Sequence, residues 1–439
     1  MFQQWMNLHT LSIEDMLIKP VFISLLILIS FLATGQEEKA RRITKVLCSD
    51  SLYGRGYVNN GVNKAAHFIK DEFKAAGLKP YFDGASYFQS FEFDVNTFPG
   101  VIEVLVDDEK LIPGVDFLVG NQSGSFDGEL NLVSIDSAAL SSQVLFDSIV
   151  EVVRSGEKNG FYVDLTGKSN QEAHAVVYTF NSLALLGAVV YVTDQKPTWS
   201  VGSKQLRFPI LHIKKDKIDF NSAINVKIEA ELVNNFQSHN VAGYLPAKKK
   251  KAETIVFTAH YDHLGGMGTE PKTYFPGAND NASGTAMLIS MADYFVANPS
   301  KYNIVFIAFA GEEAGLLGSE HFVKNTSIDF SKIKFLLNLD IMGSGEEGIT
   351  VVNGKIHEEK FEKLKAINDE KNYLAQVKSR GETANSDHYH FHVKGVPSFF
   401  IYTMGSNKHY HDVYDTYEEL SFAAYNNIVK LLVEFVERL

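Results

Sequence analysis

The sequence predicts an α/β fold: a mixed, mostly parallel central sheet flanked by helices, with a mainly β domain inserted into it. Three observations predict this. Four apolar runs of strand length each stop at polar residues: Thr254–Ala259 at His260, Ile304–Ala310 at Glu312, Phe335–Leu339 at Asp340 and Val396–Tyr402 at Thr403. Such runs suit strands buried on both faces of a sheet. Between the first two lies a helical pattern from Ala282 to Val296, and strand–helix–strand alternation argues for parallel neighbours. Residues 96–235 differ in character: they are rich in Val, Asp, Ser and Gly, with short strand-like runs and no cluster of potential ligands.

In chain order, the first feature is Val21 to Ala33, an apolar run preceded by Lys19. It falls short of the roughly 20 residues a membrane-spanning helix needs. It fits the core of a signal peptide, with Ala33-Thr34-Gly35 as a small-residue cleavage site before Gln36. Met16 is an alternative start, and an uncleaved membrane anchor is the other reading of residues 1–35. A signal of this kind implies a secreted or periplasmic protein. Cys48 is the single cysteine of the 439 residues, which excludes an intrachain disulfide, and it lies too far past the apolar run for lipid attachment.

Residues 38–50 read as helix, and Leu52-Tyr-Gly-Arg55-Gly as a turn. Apolar residues at 62, 65, 66, 69, 73 and 76 give a second helix that Gly77 can cap. Leu78 to Phe93 alternates as a strand pair would. The runs Val101–Val106, Glu129–Val133, Phe161–Leu165, Ala188–Val192 and Phe208–Ile213 furnish strands of the insert. Asn240 to Leu245 is a short strand, Lys248–Lys251 a solvated turn, and Ser421 to Leu439 an amphipathic closing helix. The chain therefore divides into 1–35 (signal peptide or anchor), 36–95 (first part of the α/β domain), 96–235 (insert) and 236–439 (the larger part of the α/β domain). A net charge of −12 argues against nucleic acid or an anionic membrane as partner. Membrane attachment would come only through the uncleaved anchor.

Ligands of open α/β sheets bind beyond the carboxyl ends of the strands. Five segments there carry candidate ligands: Thr258-Ala-His260-Tyr-Asp262-His263, Gly277-Ala-Asn-Asp280-Asn-Ala-Ser-Gly284, Gly311-Glu312-Glu313, Asn338-Leu-Asp340 and His409-Tyr-His411-Asp-Val-Tyr-Asp415-Thr. Histidine nitrogen and carboxylate oxygen without cysteine suit zinc in an open, catalytic site. Two metals need a bridging carboxylate with terminal ligands on each side. Asp280, His260 and Asp340 could hold one ion, and Asp280, Glu313 and His411 the other. Glu312 would then be free as general base on the attacking water, and Asp262 could orient the imidazole of His260. Adjacent acids such as Glu312 and Glu313 can also sit harmlessly at a strand-to-helix turn, and Asp280 could be an ordinary helix cap.

These five segments, in this order, resemble the co-catalytic di-zinc aminopeptidase family, which includes secreted bacterial leucyl-type aminopeptidases, glutamate carboxypeptidase and the glutaminyl cyclases. The resemblance is strongest over 237–420, and looser over 38–95. It implies a zinc exopeptidase fold with two Zn2+ ions held by His260, Asp280, Glu313, Asp340 and His411, Glu312 as general base, and Asp262 behind the first histidine. It implies peptide substrates and an aminopeptidase activity. A carboxypeptidase acting on acidic dipeptides and a glutaminyl cyclase are rivals on the same scaffold. A catalytically silent receptor module would be expected to lose ligands that this chain keeps. Residues 96–235 are similar to a protease-associated domain through Gly187–Val192 and Phe208–Ile213. His388, His390 and His392 alternate, and on a strand would share one face. We assign them no metal, since the other ligands lie on five separate loops. His263 is expected to support the site. Tyr410 is a candidate substrate or transition-state contact, and Tyr274–Gly277 and Met404–Asn407 are candidate pocket loops.

Overall fold

The computed structural model describes residues 36–439, apart from 83–84, 137–138, 140–141, 197 and 270–271. The expected signal peptide or anchor lies outside the described residues. No described helix is long and apolar enough to cross a membrane.

Among the described residues, nine strands form the central sheet, and its middle is parallel as the apolar runs predict. Asn303–Phe309, Thr254–His260, Ile333–Leu339 and Ser398–Met404 lie side by side in that order, all pointing the same way. The flanks are antiparallel: Glu231–Leu245 pairs with Asn303–Phe309 on one side, and Gly348–Val352 with Ser398–Met404 on the other. The helix Gly284–Ala297 follows the second candidate segment, 277–284, and is buried along most of its length against the sheet. The helix Gly61–Ala76 ends at Gly77, whose φ of 94° is the left-handed value its position predicts. The closing helix is Tyr425–Glu437.

Two readings need correction. Asn240 to Leu245 is only the end of a 15-residue strand, Glu231–Leu245, whose first part pairs with Phe88–Thr97. The irregularity between Val233 and Phe236 breaks the alternation that would have revealed it. His388 to His392 form a short helix rather than a strand, so the three histidines do not share a face.

Between Ile102 and Ile228 the described residues build a four-stranded antiparallel sheet and a five-stranded sheet with three parallel pairings. The helices Gln143–Arg154 and Asn170–Phe180 accompany the latter. The apolar core of these sheets takes in Leu264, Met267 and Phe275 from the segment after His260, so the two parts of the chain are packed into each other.

Candidate metal centre

The parallel strands deliver the site to one edge of the sheet. Register pairs Thr258 with Asn338, so two residues on, His260 and Asp340 come level. Glu312 and Glu313 follow Asn303–Phe309 on the neighbouring strand. Asp280 sits in the turn that opens the helix Gly284–Ala297, and His411 comes from a loop after Ser398–Met404.

The five expected ligands meet. Asp280 Oδ1 is 3.2 Å from His260 Nε2, and Asp280 Oδ2 is 3.2 Å from His411 Nε2. One carboxylate thus faces two imidazoles, one with each oxygen. His260 Nε2 is also 3.2 Å from Asp340 Oδ1, and His411 Nε2 is 3.2 Å from Glu313 Oε2. Zinc–ligand bonds of about 2.0–2.2 Å at tetrahedral angles place two donors about 3.3 Å apart, so these spacings fit a cation in each half. Two overlapping groups, His260 with Glu312 and Asp340 and His260 with Asp280 and Glu313, have ligand atoms within 4.8 Å of one another.

The surroundings prepare both imidazoles for that role. His411 Nδ1 lies 2.9 Å from the carbonyl of Trp199, and His260 Nδ1 lies 3.2 Å from that of Asp262. Each Nδ1–H can donate to its carbonyl, which leaves Nε2 as the ligating atom. Glu313 divides its oxygens: Oε1 takes His263 Nδ1 at 2.8 Å while Oε2 faces His411. Asp340 Oδ2 accepts from Ser386, the end of a buried chain of hydrogen bonds through Asn338 to Thr258.

Electrostatics agree with a site built for cations. Burial disfavours charge on His411, but Glu313 and Asp280 outweigh it and hold the imidazole up at about 11. His260 is likewise raised, against burial, by Asp340 and Glu312. Burial would raise Asp280, yet hydrogen bonds from His260 and His411 keep it well below the usual carboxylate value. Protons on the histidines occupy the charge balance that metals would take over, so metal binding here displaces protons.

Glu312 differs from the other acids. Among the described residues nothing hydrogen-bonds to its carboxylate, and burial, with Glu313, Asp387 and Asp340 nearby, raises its pKa well above the usual value. It lines a cavity of about 280 Å³ together with His260, Asp280, Asp340 and His411. The rest of its lining is Ile341, Arg380, Asn385, Phe400, Tyr402 and Tyr410. Tyr410 stacks on His411 with ring centroids 3.8 Å apart.

Asp262 acts differently from expectation. Its carboxylate lies 3.9 Å from His260 Nδ1, beyond hydrogen-bond range, and only its backbone carbonyl reaches that ring. The carboxylate instead accepts from the backbone N–H groups of Glu312 and Glu313, at 3.2 and 3.3 Å, and from the hydroxyl of Tyr57 at 3.0 Å. Asp262 therefore fixes the acid pair. His388, whose ring nitrogens have no hydrogen-bond partner, is buried beside Phe400 and absent from the cavity wall.

Sequence reading missed several supporting residues. Arg55 is fully buried and donates to the carbonyls of Tyr261, Leu47, Pro276 and Gly277, with a longer bond to that of Asp280. Gly54 and Gly56 let it in, for a Cβ on Gly56 would stand 2.3 Å from Gly265 Cα. Asp415 accepts the backbone N–H groups of Asn279 and Asp280, 3.0 Å each, and so fixes the backbone that carries the Asp280 carboxylate. Trp199 lies within residues 96–235, far along the chain from the ligand segments, and had no ligand-like signal at all.

Residues 240–436 match the model of Peptidase family M28, a span that includes all seven expected site residues. The sequence is 31% identical over 249 residues to aminopeptidase YwaD of Bacillus subtilis, covering 51% of this chain and 50% of that protein. It is 29% identical over 226 residues to a probable leucine aminopeptidase of Trichophyton verrucosum, covering 48% and 59%. The chain thus spans about half the length of the curated relatives it matches. Its fold is similar to that of BSAP, a zinc aminopeptidase from Bacillus subtilis, with a TM-score of 0.66 at 20% identity over 91% of this chain and 94% of that one. The aminopeptidase from Aneurinibacillus sp. strain AM-1 gives 0.62 at 21% identity over 91% and 92%. The family resemblance read from the motifs therefore holds, and so does the α/β architecture.

Proposed function

We propose, with the Peptidase family M28 match over 240–436 as premise, that this chain is a zinc-dependent aminopeptidase that removes N-terminal residues from peptides. The observation that carries the reading is the uncommitted Glu312 carboxylate, facing a cavity shared with an acid whose two oxygens address two histidines.

In this reading His260, Asp280 and Asp340 hold one zinc ion, and Asp280, Glu313 and His411 hold a second. When bound, zinc supplies Lewis acidity that polarises the scissile carbonyl and acidifies water. Glu312 takes a proton from the attacking water on its carboxylate and returns it to the nitrogen of the leaving amine. Asp262 keeps Glu312 and Glu313 pointing to their separate tasks through their backbone N–H groups. A phenol is protonated at neutral pH, and that of Tyr410 lines the cavity, from where it can donate to the developing oxyanion. The small cavity suits one terminal residue of a peptide rather than a chain passing through.

Glu312→Gln tests the assignment. Zinc content by elemental analysis should match the parent, while kcat on a substrate with a free N-terminus should fall about 10²–10⁴-fold. Undiminished turnover in that variant would remove Glu312 from the role. The N-terminally blocked form of the same peptide should resist the parent enzyme. Export belongs to the same proposal, supported by the apolar run Val21 to Ala33 and the small residues after it. The exported protein should begin at Gln36 on N-terminal sequencing, and retention of residues 1–35 would favour the anchor.

A further inference from the structure

The metal centre accounts for the acids that line the cavity. The lining also carries a charge of opposite sign. Arg380 lines the cavity, yet it makes no ion pair with any described residue, the centre's carboxylates included. It is therefore not paired with Asp340 or Glu312, acids that share the cavity lining with it.

Its position is fixed by backbone. Arg380 directly follows the edge strand Val377–Ser379. Its N–H donates to the carbonyl of Val351 at 2.8 Å, and its own carbonyl accepts from Lys355 N–H at 3.1 Å. Its side chain reaches past the neighbouring strand Gly348–Val352 to Ser398–Met404: Nη1 donates to the hydroxyl oxygen of Tyr402 at 3.0 Å, with the guanidinium carbon 5.9 Å from the ring centroid. Among the described residues, that bond leaves Nε and Nη2 without acceptors, and the Tyr402 hydroxyl with a proton to give. A guanidinium with spare, coplanar N–H groups and a phenol beside it form a fork for a planar anion.

We infer that Arg380 and Tyr402 form a carboxylate subsite in the cavity that the metal centre also lines, so that this chain selects substrates bringing a carboxylate to that pair. The inference rests on the peptidase reading. Two kinds of peptide carry such a group within reach: one with an acidic N-terminal side chain, and a dipeptide with its free α-carboxylate.

The test reads ratios within each protein, so a general loss in a variant cancels. The zinc-loaded full chain is assayed with glutamyl- and glutaminyl-p-nitroanilide, and with Leu-Gly and Leu-Gly-amide. The parent should prefer the carboxylate over its amide in one of these pairs by at least tenfold in kcat/KM, as hydrogen bonds to a charged group warrant. Arg380→Leu should bring that ratio to about one, and Arg380→Lys should restore part of it. A preference in the first pair identifies the acidic side chain, and in the second the α-carboxylate. Calorimetric titration with glutamate against glutamine, and with leucine against leucinamide, reads the same contrasts without turnover. Ratios near one in the parent, or ratios that Arg380→Leu leaves unchanged, would overturn the subsite. Cleavage of the amide members alone would still uphold the peptidase reading, whereas calorimetric discrimination without cleavage would uphold the subsite and overturn that reading.

Discussion

Three buried histidines show how differently one residue type can be held. His260 and His411 give Nδ1 to a carbonyl and Nε2 to carboxylates, and both are pushed toward the charged form. His388 is buried against Phe400 with neither nitrogen hydrogen-bonded, and burial, with His392 nearby, lowers its pKa to about 3. Because that folded value lies below the roughly 6.5 of an unfolded histidine, the neutral ring is without penalty above pH 6.5. Its contribution to stability is then lost as pH falls from there toward 3, by about 1.4 kcal/mol per pH unit. Urea unfolding at pH 7, 6 and 5 should show the parent losing ground to His388→Gln by about 0.7 kcal/mol over the first interval and about 1.2 kcal/mol over the second. A gap between the two that is constant with pH would mean another group carries the titration. From sequence the three histidines of 388–392 looked alike, and nothing in their spacing told a buried ring from a ligand.

At the level of elements, the strands that carry the site were legible because each is a plain apolar run that stops at a polar residue. Strands buried on both faces have few other ways to be written. The ligands followed because strand-end loops are where such sheets bind. Contacts arriving from far along the chain were not legible. Trp199 orients His411 through its backbone carbonyl, which any residue could supply, so no side-chain pattern marks it. The same segment grips the ligand loop a second time: Lys196 donates to the carbonyls of Lys408 and Tyr410 at 2.9 and 3.2 Å and is ion-paired with Asp412. Lys196 is half-exposed, so the pair itself contributes little to stability, about 0–1 kcal/mol. Its consequence should lie in how His411 is presented. Lys196→Met is expected to leave the unfolding midpoint nearly unchanged while weakening zinc retention about tenfold in a chelator competition, the lower end of what supporting contacts of a metal site contribute. Zinc retention equal to the parent would confine Lys196 to the surface.

Over the whole molecule, the sheet brings Asp280, Glu313, Asp340 and Glu312 into one small region of a chain whose net charge is already −12. Without cations that region relies on protonated histidines, so bound zinc should add substantially to stability. A ligand present at a hundred times its dissociation constant adds about 2.7 kcal/mol to the folded state, enough to move a melting temperature by several degrees. How far the effect spreads depends on the division of the chain at 95 and 235, which proposes an insert and a peptidase part as two units. Their packing argues that the units melt together. The insert's core contains Leu264, Met267 and Phe275 from the peptidase part, and Trp199 and His411 exchange hydrogen bonds in both directions across the joint. Calorimetry of the full chain should therefore give one transition that falls by several degrees on chelation and returns when zinc is added back. Glu312→Gln should follow the same shift, since its carboxylate is proposed to serve the water, while His411→Ala should lose most of it. Two transitions, only one of them sensitive to zinc, would separate the insert from the metal centre and leave the Trp199 contact a local one.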